Sequence, residues 1–175
     1  HEIRTPMNAI IGISELILRK ELPEDVKDDV LSIQNSGNGL LSIINDILDI
    51  SKIESGKYEI IPVDYMFLSL ISDVLNMTAM RLKDKPVRLL MELNPKLPGK
   101  LFGDDLRIRQ ILINILGNAV KFTNSGYIKM SIDWNGQPGK LPGGTALFSV
   151  KISDTGIGIK QSDVGKLFGL FNQVD

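Results

Sequence analysis

The chain of 175 residues contains no cysteine. That excludes a disulfide framework and a thiolate metal site. A single histidine excludes a metal centre built on several imidazoles. No apolar run approaches the ~18 residues that a membrane-spanning helix needs, and no signal peptide is visible. An excess of one charge is missing too: 20 basic residues face 21 acidic ones, a net charge of −1. No broad basic field therefore advertises nucleic acid or an anionic membrane as a partner. What remains is an ordinary globular balance, 43% hydrophobic and 23% charged, sufficient for one or two small domains. There is no internal repeat and no low-complexity tract. The ends read as those of an excised fragment: no initiator methionine precedes His1, and Phe171 to Asp175 stop without a closing element.

Apolar periodicity divides the chain. Ile3, Met7, Ile10, Ile11, Ser14 and Leu18 predict a helix over 1–19. Pro23 suits the start of the next helix. Val26, Val30, Ile33, Gly37, Leu40, Ile44 and Ile47 step by alternating fours and threes, a heptad seam over 24–55 that Leu41 and Leu48 widen. Such a seam needs partners, and dimerisation of two hairpins into a four-helix bundle supplies them. The alternative is a hairpin packed on its own following domain. Gly56 is the expected C-terminal cap, with Lys57 at the negative end of the dipole. The boundary is placed there: a hairpin over 1–56, then a second domain over 57–175.

In that second domain, Phe67, Ile71, Val74, Thr78 and Leu82 predict a helix over 66–83. Ile108, Ile111, Leu112, Ile115, Ala119 and Phe122 predict another over 104–122. Alternation predicts strands over 86–93, 126–134 and 146–153, with a loop over 135–144. The expected fold class is α+β, a sandwich with helices on one sheet face.

Three groups of residues carry chemistry. His1 stands beside Glu2, a carboxylate able to take a proton from one ring nitrogen and leave the other free to attack. Thr5 lies one helical turn on, where a hydroxyl could hold a water. Pro6 removes an amide and is expected to weaken the helix locally, unless it is simply tolerated near a helix start. On the 104–122 helix, Arg107, Gln110, Asn114, Asn118 and Lys121 form one stripe, read as largely opposite the apolar face. Asn114 and Asn118 can turn carbonyl oxygens toward a hard cation such as Mg2+, and Lys121 is a point charge for a phosphate. A solvated helix face accounts for the same stripe. Finally, Asp154-Thr155-Gly156-Ile157-Gly158 leaves a strand. The carboxylate of Asp154 accepts hydrogen bonds only, which suits the exocyclic amine of adenine, and the glycines let backbone approach a base. An Asx-type turn is the plainer reading. Neither a Rossmann nor a Walker pattern is present.

Together these residues resemble the sensor histidine kinases of two-component systems. His1-Glu2-Ile3-Arg4-Thr5-Pro6-Met7 resembles their H box, and Asp104 through Thr123 their N box. Asp154-Thr155-Gly156-Ile157-Gly158-Ile159 resembles the first glycine box, and Phe168 to Asp175 the F box.

The resemblance implies a dimeric hairpin joined to a Bergerat-type ATP-binding α/β sandwich. By position, His1 would be the phosphoacceptor, Glu2 its base, and Thr5 the residue placing water to dephosphorylate a partner regulator. Asn118 with Asn114 would hold Mg2+, Lys121 would contact phosphate, and Asp154, Gly156 and Gly158 would form the adenine turn. Phe168 and Phe171 would anchor the lid over ATP. The implied activity is autophosphorylation of His1 and transfer to an aspartate of a response-regulator receiver domain. The rival is a regulator-binding dimeric scaffold or phosphatase with little kinase activity. The catalytic region is expected in the cytoplasm, within a parent chain that is free or membrane-anchored, without membrane contact of its own. The family's second glycine box follows the F box, and the chain stops first. Weak nucleotide binding and poor folding of this stretch alone are therefore expected.

Overall fold

The structure is a computed structural model that describes residues 2–134 and 147–166. The chain divides into two units, His1–Ile60 and Ile61–Asp175.

The first unit is an antiparallel hairpin of α1 (Arg4–Leu18) and α2 (Glu24–Glu54). Pro23 takes the N-cap position of α2 rather than its first turn, and Glu24 and Asp25 set negative charge at the positive end of the dipole. The other end closes as the sequence indicates. Gly56 adopts φ +67, its amide donates to Ile53 O, and the Lys57 amide donates to Lys52 O. This paired bonding needs a left-handed residue at Gly56. Gly37 lets the helices approach, since a Cβ there would lie 3.0 Å from Ile11 Cγ1. Farther along the hairpin, Arg4 Nη2 donates to Asn45 Oδ1 at 2.7 Å. One neighbouring helix covers only part of the α2 seam. Val30 and Gly37 are buried and Leu41 and Ile44 half-buried, whereas Val26, Ile33, Leu40 and Ile47 stay exposed. Pro6 falls in the first turn of α1, where a missing amide costs nothing, so tolerance accounts for it.

The second unit runs β1 (Val63–Met66), α3 (Phe67–Arg81), β2 (Val87–Leu93), β3 (Lys100–Gly103), α4 (Asp105–Phe122), β4 (Gly126–Trp134) and β5 (Phe148–Asp154), then a short 3-10 turn at Val164–Lys166. β1 and β3 form an antiparallel pair, while β4 lies between parallel β2 and antiparallel β5. Phe67, Leu70, Ile71 and Val74 of α3 meet Leu112, Leu116 and Ala119 of α4, and Ile128, Met130 and Ile132 of β4. Phe148 extends this core, its ring 5.0 Å from that of Phe67.

Two features depart from expectation. Strands β1 and β3 have no counterpart in the periodicity: each has four residues, and their outward faces carry the Asp64–Lys100 ion pair at 3.0 Å. On α4, Ile111, Ile115 and Phe122 are exposed, not in the core. The buried face is Leu112, Leu116, Ala119 and Val120. Ile108 packs against this core, as its spacing predicts. The exposed apolar residues flank the asparagine stripe, so the stripe is not opposite all the apolar residues of the helix.

Asp104 fixes the start of α4. Its Oδ1 accepts from the Arg107 amide and its Oδ2 from the Ile61 amide, both at 3.0 Å. The Ile61 amide first, and the Arg107 amide next, hold the carboxyl below its ordinary value of 3.8. A depressed folded-state pKa gives stability that is present above the ordinary value and lost as pH falls through the folded one. Asp104→Ala is therefore expected to lower Tm at about pH 7, with the deficit shrinking below about pH 4. Thermal melts of both proteins across that range check this, and a deficit independent of pH would count against it.

Candidate functional site

The C-terminal half of α4 and the turn after β5 meet at one backbone atom. The last carbonyls of a helix have no partner within it. Here Phe122 O accepts from the Ile157 amide at 3.3 Å. That bond ties the helix bearing Asn114, Asn118 and Lys121 to the turn bearing Asp154, Gly156 and Gly158. All three α4 residues are exposed. Asn114 and Asn118 are one turn apart on the same face, and Lys121 Nζ lies 5.0 Å from the centroid of the Phe122 ring.

The turn itself is an Asx turn, as its plainer reading anticipates: Asp154 Oδ1 accepts from the Gly156 amide at 2.9 Å. No other hydrogen bond reaches the Asp154 side chain among the described residues. The Asx turn leaves the second carboxylate oxygen for other work, so the two readings are compatible. Gly156 is sterically required. A Cβ would stand 2.5 Å from Phe122 O and 2.8 Å from Asp154 Oδ1. Gly158 differs: it adopts φ +71 with open space around it, so its requirement is conformational.

Thr155, between them, is a junction that the sequence reading passed over. Its Oγ1 accepts from the Tyr127 amide at 3.0 Å and lies 3.2 Å from Ser125 O, a carbonyl to which it donates. The Thr155 amide donates to Tyr127 O at 3.1 Å. This clamps the end of β5 to the start of β4. A threonine beside an aspartate carries no signal for such a role, because its partners lie 28 and 30 positions away.

The remaining predicted residues are elsewhere. Glu2 and Thr5 are exposed at the start of the hairpin. His1, Phe168 and Phe171, the predicted 135–144 loop and the first residue of the predicted 146–153 strand lie outside the described residues.

Residues 1–56 match the family model of the His Kinase A (phospho-acceptor) domain. Residues 103–175 match that of the histidine kinase-, DNA gyrase B- and HSP90-like ATPases. The two together span well over half of the chain. The chain belongs to the sensor histidine kinases. Over 175 residues it is 38% identical to the signal transduction histidine-protein kinase BarA of Escherichia coli (strain K12), of which it spans 19%. It is 41% identical over 175 residues to hybrid signal transduction histidine kinase L of Dictyostelium discoideum, spanning 10% of that protein. This chain thus covers about a fifth or less of these curated relatives. Among solved structures it resembles full-length ShkA in complex with AMPPNP, with a TM-score of 0.74 and 30% identity, over 99% of this chain and 35% of that one. The Acinetobacter baumannii histidine kinase AdeS shares the fold, with a TM-score of 0.62 over 95% of this chain and 78% of that one, at 23% identity. The expected architecture, a helical hairpin followed by an α/β ATPase sandwich, is thereby shown.

Proposed function

We propose that this chain is the phosphotransfer and ATP-binding core of a protein-histidine kinase, with the hairpin over 1–56 and the ATP-binding domain over 57–175. The observation that carries the reading is the Phe122–Ile157 bond, which ties the end of the helix bearing the asparagines and the lysine to the aspartate-glycine turn. The relative solved with AMPPNP supports a nucleotide at such a site.

Asp154 accepts from the exocyclic amine of adenine, and Gly156 and Gly158 keep the turn thin enough for the base to approach. Lys121 is directed to the phosphates. The amide oxygens of Asn118 and Asn114 suit Mg2+, a hard ion that keeps several waters and needs few protein ligands. When bound, Mg2+ supplies positive charge that offsets the charge on the phosphates.

An imidazole nitrogen of His1 attacks the γ-phosphorus in line, its bond to the bridging oxygen breaks, and ADP leaves. Glu2 takes the proton from the other ring nitrogen. The phosphoryl group passes to an aspartate of a response-regulator receiver domain, and Thr5 places the water for the reverse duty of dephosphorylation. Phe168 and Phe171 anchor the lid. The exposed residues of the α2 seam, Val26, Ile33, Leu40 and Ile47, are covered by a second hairpin in a four-helix homodimer. No helix among the described residues is long and apolar enough to cross a membrane. Placement on the cytoplasmic side, where ATP is, fits this activity.

The test uses a chain lengthened by an upstream helical segment and by the lid that the resemblance implies. Incubation with γ-labelled ATP is expected to leave acid-labile, alkali-stable label, and His1→Gln to abolish it. Measurable ATP binding without such label in the parent would reject the kinase reading.

A further inference from the structure

The end of α4 is held by a residue far from every motif. Lys85, in the turn between α3 and β2, donates from Nζ to Val120 O at 2.7 Å and to Thr123 O at 3.2 Å. Thr123 is fully buried and Val120 nearly so. Their carbonyls therefore depend on this ammonium, since a buried carbonyl left unpaired is costly. A cation at a helix C-terminus also meets the negative end of the dipole. The grip is two-sided, because Pro86 O, next in the chain, accepts from the Gly126 amide at 3.1 Å. The Lys85 amide in turn donates to Leu82 O at 2.9 Å, which anchors the turn to α3.

The clamped stretch, Val120 to Gly126, contains Lys121 and the carbonyl of Phe122 on which the glycine turn rests. Asn118 lies half a turn before it. We infer that Lys85 is a positioning residue for the nucleotide site: it fixes the last turn of α4, and through it Lys121, Asn118 and the Phe122 carbonyl that receives Ile157. This inference rests on the ATP-site reading above. Lys85 touches neither nucleotide nor metal in this scheme and acts through the helix end.

The lengthened chain is compared with Lys85→Met, Lys85→Arg and, as a charge control, Lys83→Met. Lys83 is exposed on the same turn. The readouts are affinity for a fluorescent ATP analogue, KM and kcat of autophosphorylation, and amide hydrogen exchange over 120–126 and 155–158. Lys85→Met is expected to weaken nucleotide affinity and raise KM by about tenfold or more, the range for losing a supporting-shell partner. Its exchange should quicken in both segments together. Lys85→Arg, which keeps a cationic donor, should restore most of the affinity, and Lys83→Met should match the parent. Should Lys85→Met not fold, Lys85→Gln, which keeps a donor without the charge, is read in the same way. Parent-like affinity in Lys85→Met, or quickened exchange confined to 120–126, overturns the inference while leaving the ATP site intact. Failure of the parent itself to bind nucleotide overturns both.

Discussion

Gly156→Ala is expected to reduce nucleotide affinity by about 100-fold, with the hairpin helices unaffected. The added Cβ would lie 2.5 Å from Phe122 O and 2.8 Å from Asp154 Oδ1. The first of these is a backbone atom at a helix end and cannot swing aside as a side chain would. Relief requires the turn to move off α4, which lengthens the Ile157–Phe122 bond and withdraws the Gly156 amide from Asp154. Overpacking of this kind costs roughly 1–3 kcal/mol. About 2.7 kcal/mol of lost binding corresponds to 100-fold. Titration with a fluorescent ATP analogue measures the loss, and helical circular dichroism reports the hairpin. Unchanged affinity in Gly156→Ala would mean that the nucleotide does not depend on this turn.

The second large effect is expected at Asp154, by a different route. Asp154→Asn keeps an oxygen to accept from the Gly156 amide, so the turn survives. What changes is the other end of the side chain, where an NH2 donor replaces an acceptor. On the proposed reading adenine offers an amine there, and two donors cannot pair. A site built to bond a ligand N–H discriminates by orders of magnitude once that bond is lost. The expected loss is about 100-fold for ATP, with Tm within about 2 °C of the parent, the small change typical of a substitution that leaves packing and turn bonding alone. Comparison of ATP with GTP sharpens the test, because guanine carries a carbonyl at the corresponding position. Asp154→Asn should lose its preference for adenine. Equal loss for both nucleotides, with a large drop in Tm, would assign Asp154 to the fold alone.

The hairpin and the longer elements were legible because their signals are local. Gly56 and Lys57 announce the end of α2, and Phe67, Ile71, Val74, Thr78 and Leu82 mark the buried face of α3 by spacing alone. The motif residues on α4 and in the glycine turn were legible by type. Their convergence was not, because it depends on a backbone carbonyl, and carbonyls are the same at every position. Ile111, Ile115 and Phe122 misled for a related reason: hydrophobic residues beside an exposed polar stripe look like core residues until packing shows which side of the helix is covered. Strands β1 and β3 are too short to develop a period, and their pairing joins Val63 to Gly103 across the whole of α3 and β2. Lys85 gave no sign at all, since its partners are 35 and 38 positions away.

The parallel pairing of β2 with β4 carries a consequence for how the two units are born. Glu92 and Ser131, 39 positions apart, exemplify a spacing that every pair in that ladder shares. Closing it demands that the whole α4 crossover be reeled in before the first rung is rewarded. Non-local pairing of this kind slows folding, whereas a helical hairpin stitched by neighbours assembles quickly. The unit carrying the phosphoacceptor motif should thus be complete while the nucleotide-site unit is still searching. On an emerging chain that order is reinforced, because the hairpin leaves the ribosome first.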